Sequence, residues 1–93
     1  MAIFEIHGPD RVHSISLTGR PAWLLFRLID AGSAGLTASD LPSGLRVSGY
    51  VHRLRRSGID VNTTYEANTN EFGGSHGRYA LASIVNSIGE AAQ

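Results

Sequence analysis

The 93-residue chain contains no cysteine and no lysine. Without cysteine, neither a disulfide nor a thiolate metal site can supplement the core, and nothing points to an oxidising compartment. Apolar runs are short as well. None approaches the roughly 20 residues of a membrane span, and the opening MAIFEIHGPDR lacks a basic segment followed by a long apolar one. A cytoplasmic location without a membrane partner is therefore expected, and the sequon at Asn62-Thr63-Thr64 is read as chance.

Catalytic patterns are equally sparse. His7, His13, His52 and His76 show neither H-x-x-x-H nor H-E-x-x-H spacing, so no metal site is expected and each reads as a surface or hydrogen-bonded histidine. No glycine-rich phosphate loop precedes a helix, and no paired carboxylates share an apolar cleft. The stretch GGSHG, residues 73 to 77, formally matches the G-x-S-x-G nucleophile elbow. That motif needs a buried strand before it and a helix after it, in a larger fold. Here its glycines read as turn formers. The expectation is a non-enzyme with no cofactor and no small-molecule ligand.

What is present describes one small globular domain, residues 1–93, with 42% hydrophobic and 17% charged residues. AIFEI and RVHSISL are rich in β-branched and aromatic residues and are separated by the turn signal HGPD, which predicts a β-hairpin within residues 1–17. A first helix is predicted over about 20–31: Thr18 can cap it, Pro21 suits its first turn and Gly32 follows its last periodic residue. Its apolar residues nearly encircle the axis, leaving Arg27 and Asp30 as a polar strip, so it must be covered on more than one side.

Thr37 and Asp40 have capping-box spacing and predict a short second helix over about 37–42, closed by Pro42. After Gly44 a third helix follows and ends at Gly58. At about 100° per residue, Val47, Tyr50, Val51 and Leu54 gather on one arc, and Ser48, Gly49, His52, Arg55 and Arg56 on the other. IDVNTTYE then alternates with period two, ANTNEFGGSHG turns the chain, and RYALAS returns with Tyr79 and Leu81 facing inward. The hairpin spans 59–83, and the tail 84–93 reads as one fraying helical turn.

Charge is unevenly spread. The eight basic residues balance eight acids, yet Arg46, Arg53, Arg55 and Arg56 fall within eleven residues that hold no acid. The order of elements and the run LTGRPAWLLFRLIDAGSAGLTASDL…RVSGYVHRLRRSGIDVNTTYE…GRYAL resemble the small winged helix-turn-helix proteins common in bacterial, phage and prophage genomes. The likeness covers roughly residues 17 to 83, and YVHRLRRSGIDV with the returning GRYAL are its most specific parts.

The resemblance implies an α+β fold with a three-helix core over 18–58, a C-terminal β-hairpin wing and an added N-terminal hairpin. It also implies double-stranded DNA as partner, with the third helix in the major groove, as in a small transcriptional regulator or phage-type accessory factor. On that reading Ser48, His52 and Arg55 contact base edges, while Arg46, Arg53 and Arg56 position phosphates and Gly49 allows close approach to the DNA backbone. Asn68, Asn70, His76 and Arg78 on the wing are further candidates, opposed by Glu66 and Glu71. A homodimer is compatible with a module of this size. The alternative is a protein-interaction module, an adaptor or an inhibitor of a host complex, that docks through the N-terminal hairpin edge or through Trp23, Leu24 and Arg27 without binding DNA. Burial of Trp23 beneath that hairpin is its simpler fate.

Overall fold

The computed structural model describes residues 1–8, 10–69 and 71–90. Strands β1 (Ala2–His7) and β2 (Val12–Leu17) form the expected N-terminal hairpin, pairing antiparallel from Ala2↔Leu17 to His7↔Val12. Its turn is closed by the Gly8 amide donating to the Arg11 carbonyl at 2.9 Å, and Pro9 lies outside the described residues. Ala2, Phe4 and Ile6 alternate onto the buried face of β1.

Helix α1 (Gly19–Ala31) follows, and Gly32, with φ 59°, ends it by donating its amide to the Leu28 carbonyl. Thr18 occupies the capping position but makes no side-chain cap bond. The near-encircling apolar surface of α1 is answered as expected from several sides: it packs against helix α2 (Val47–Arg56) and against strands of both sheets. Phe26 meets Phe4 with ring centroids 5.0 Å apart.

Two expectations are corrected. The chain has two α-helices among its described residues, not three. In place of a helix over 37–42 stand a two-residue strand, β3 (Leu36–Thr37), and a single 3-10 turn at Ala38–Asp40. The reason is local. The capping contacts form, with the Thr37 amide donating to Asp40 Oδ2 at 2.8 Å. Pro42 then clashes with a helical Leu41, which is extended at φ −118°, ψ 159°, and no room remains for a full α-turn.

The second correction concerns the tail. Residues 84–90 form a strand, β6 (Ile84–Glu90), antiparallel to β1, so β1 is the middle strand of a β2-β1-β6 sheet. Ile84, Val85 and Ile88 have helix-like spacing, but a partner strand some 80 residues earlier offers the backbone a ladder that one helical turn could not match.

The second sheet has the order β3-β5-β4, built from β3, β4 (Val61–Ala67) and β5 (Ser75–Leu81). Its β4–β5 hairpin is the expected wing, in register from Val61↔Leu81 to Ala67↔Ser75. Ser75 thus opens a strand at the end of a hairpin loop, as the glycine-rich turn required. The core joins both sheets and both helices through Phe4, Ile6, Leu24, Leu25, Leu28, Val51, Leu54 and Ile59. No helix among the described residues is long and apolar enough to cross a membrane.

Candidate functional site

The exposed face of α2 is assembled by its own periodicity. Val47, Val51 and Leu54 are buried, which fixes the helix rotation and turns Ser48, Gly49, His52, Arg53, Arg55 and Arg56 to solvent, with Arg46 exposed at the N-cap position. Tyr50 is half-buried, its hydroxyl accepting a hydrogen bond from Arg20 Nη1 at 3.1 Å, so that α1 and α2 are tied at this edge.

No acid lies in α2, and Arg53, Arg55 and Arg56 crowd its last turn, where cations complement the helix dipole. Among the described residues the ion pairs join His7 to Glu5 and both His76 and Arg78 to Glu66. None neutralises an arginine of α2. Gly49 needs a separate explanation: its backbone is helical, and the nearest atom to a Cβ placed there would be Arg46 Cβ at 3.9 Å. Nothing in the fold requires glycine at this position.

Arg55 departs from its expected role. Its guanidinium reaches across to β4, where Nε and Nη2 donate to the Val61 carbonyl at 3.2 and 2.7 Å, and Nη2 donates to Thr63 Oγ1 at 2.8 Å. The planar fork is engaged by the strand, so Arg55 clamps helix to wing.

The wing residues are also bonded within the fold. His76 Nδ1 pairs with Asn68 Oδ1 at 2.6 Å and Nε2 with Glu66 Oε1 at 3.0 Å. Arg78 Nε donates to Glu66 Oε2 at 3.0 Å and Nη1 to the Ala34 carbonyl at 3.2 Å. His76 and Arg78 therefore brace the hairpin from within. Glu66 is held ionised, its carboxyl lowered chiefly by the hydrogen bond from Arg78 and secondarily by that from His76, and the Arg78 guanidinium offsets its charge. The Thr37 amide lowers Asp40 by the same kind of bond. Asn68 braces the loop, and Asn70 lies outside the described residues.

The alternative docking surface is smaller than expected. Leu24 is 1% exposed and belongs to the core, because it lies on the side of α1 that faces the interior. Trp23 is half-buried and, with Phe26 and the hairpin residues Ala2 and Leu17, lines a shallow cleft of about 300 Å³. Arg27 is exposed. Of the histidines, His7 pairs with Glu5 at 2.7 Å and His52 is exposed, whereas His13, against Gly58, has a buried Nδ1 with no hydrogen-bond partner among the described residues, contrary to expectation.

The aromatic side chains of the wing carried no signal in the sequence reading. Tyr65 is 74% and Phe72 88% exposed. Strand alternation does place Tyr65 on the face of Thr63, but only the lengths of the helices beneath show that nothing covers it.

Comparison with known proteins adds one match. No curated protein and no solved structure matches the chain significantly. A family model described as a winged helix domain matches residues 14–91, which span α1, α2, the wing and the returning strand β6. With nearly its whole length matched and the hairpin wing following directly on the exposed helix, the chain belongs to the winged helix domain family.

Proposed function

We propose that the protein binds double-stranded DNA by laying the exposed face of α2 in the major groove. One observation carries this reading: Arg46, Arg53 and Arg56 are exposed, lack acidic partners among the described residues, and share a helix with no acid. Counterion release from phosphates supplies affinity to such a surface and makes it salt-dependent. Ser48 and His52 point furthest from the core and take the base edges, while Arg46, Arg53 and Arg56 take phosphates. Arg55 supports the interface from behind by fixing the wing to the helix.

Arg53→Ala and Arg56→Ala are expected to weaken binding to all duplex sequences alike, each reducing the slope of log K against log salt by about 1. His52→Ala should instead relax preference at one base position by about 1–3 kcal/mol. Fluorescence anisotropy across a salt series reads both effects. If the wild-type protein ignores random duplex and heparin at low salt, the proposal fails.

Gly49 supplies an independent check. In a helix interior glycine costs roughly 1 kcal/mol relative to alanine. Gly49→Ala is therefore expected to raise thermal stability by that amount while lowering DNA affinity, because a methyl group would stand between helix and DNA backbone. Stabilisation with unchanged affinity would remove Gly49 from the interface.

A single module of this kind covers roughly 600–1,000 Å² of its own surface on DNA, so dimeric or cooperative binding is expected. Selection from a random oligonucleotide pool would then return a palindrome. The competing reading, a protein-interaction module, draws support from the net charge of +0 and the apolar cleft beside Trp23 and Phe26. It predicts no retention on heparin.

A further inference from the structure

We infer that the wing carries an aromatic wedge, Phe72 at its tip with Tyr65 behind it, that unstacks a base step and bends the duplex held by α2. This inference rests on the DNA-binding reading and adds an activity to it.

Exposure is the first argument. Phe72 and Tyr65 are 88% and 74% exposed, more than any of the other exposed large hydrophobic residues among those described. Apolar ring surface this exposed gains free energy when a ligand removes it from water.

Position is the second. Val61, Thr63 and Tyr65 alternate onto one face of β4; Val61 is buried, and Thr63 accepts the hydrogen bond from Arg55 of α2. Tyr65 follows two residues further out, about 6.6 Å along the strand, where no helix remains to cover it. Tyr65 thus continues the face on which Thr63 meets the C-terminal end of the arginine-bearing helix. Glu66 falls on the opposite face, occupied by Arg78 and His76.

The third argument is pre-organisation. The Asn68 amide donates to the Gly74 carbonyl at 2.9 Å, and Asn68 Nδ2 donates to the Gly73 carbonyl at 2.9 Å, while His76 braces Asn68 Oδ1. Gly73 and Gly74 have φ of +69° and +82°, values that suit glycine, so the loop closes tightly immediately after Phe72. A braced loop loses less entropy when its tip enters a ligand.

Phenylalanine is among the side chains that wedge between base steps and kink DNA by about 20–90°, and flexible TA and CA/TG steps yield most easily.

The test uses the full chain and a duplex selected by it from a random pool, with 2-aminopurine placed singly at each position and donor and acceptor dyes at the ends. Saturating wild-type protein is expected to raise 2-aminopurine fluorescence at one pyrimidine–purine step and to shorten the end-to-end distance. Phe72→Ala should abolish the fluorescence rise and weaken binding about ten-fold, Phe72→Leu should preserve both, and Tyr65→Ala should reduce them. Unchanged melting temperatures verify that these exposed substitutions leave the fold intact. Binding without unstacking at any position, or unstacking that survives Phe72→Ala, overturns the wedge and leaves the α2 interface standing. Failure of the wild-type protein to bind any duplex overturns both.

Discussion

Gly35→Ala is expected to lower the stability of the domain by about 2–6 kcal/mol, the largest effect of any single glycine replacement. Two costs add. At φ 70°, ψ −170° Gly35 occupies a backbone region essentially reserved for glycine, and an alanine there costs about 1–3 kcal/mol. The new Cβ would also stand 2.4 Å from the Tyr79 carbonyl oxygen and 3.1 Å from its carbon. That oxygen belongs to β5, the middle strand of the wing sheet, so relief means moving the backbone, at a further cost of about 1–3 kcal/mol. Gly35 directly precedes β3, whose Leu36 pairs with Tyr79, and the wing is seated on the body of the protein at this crossing. For a domain of this size the melting temperature should fall by on the order of 10–30 °C. Gly44→Ala provides the control: its φ is 85° with no atom within 4 Å of the added Cβ, and the loss should be limited to about 1 kcal/mol. Equal melting temperatures for the two variants would refute the steric argument.

Arg55→Ala is expected to lose about 1–3 kcal/mol of stability and to weaken DNA binding for every sequence tested. Three hydrogen bonds from one guanidinium to the Val61 carbonyl and Thr63 Oγ1 disappear together, and the wing loses its tether to α2. Arg55→Lys should not restore them, because a single ammonium cannot reproduce the fork that serves the carbonyl and the hydroxyl at once. The distinguishing measurement pairs a denaturant melt with oligonucleotide selection. A consensus that changes at one position while stability stays constant would return Arg55 to base reading and dissolve the clamp.

Arg55 also illustrates where reading from sequence stops. A helical wheel gives the direction in which a side chain leaves its own axis, and for Val47, Val51 and Leu54 that direction correctly selected the core. It holds no information about a strand from elsewhere in the chain that lies within reach of a long, flexible side chain. Arg78 and His76 repeat the case, since alternation places them on a face of β5 but does not show that Glu66 of β4 meets them there. Tyr65 is the converse: alternation with Val61 and Thr63 suggests cover, and the structure leaves it 74% exposed.

The sequence by itself determined the N-terminal hairpin, α1, the amphipathic α2 with its acid-free arginine face, and the wing. Each of these rests on a short-range property: residue periodicity, a turn signal or a capping residue. Only the tertiary structure decided that β6 joins β1 and which arginines are bonded within the fold. Those outcomes follow from long-range pairing and competition for hydrogen bonds, in which a backbone carbonyl or carboxylate distant in sequence claims a group that its neighbours leave free.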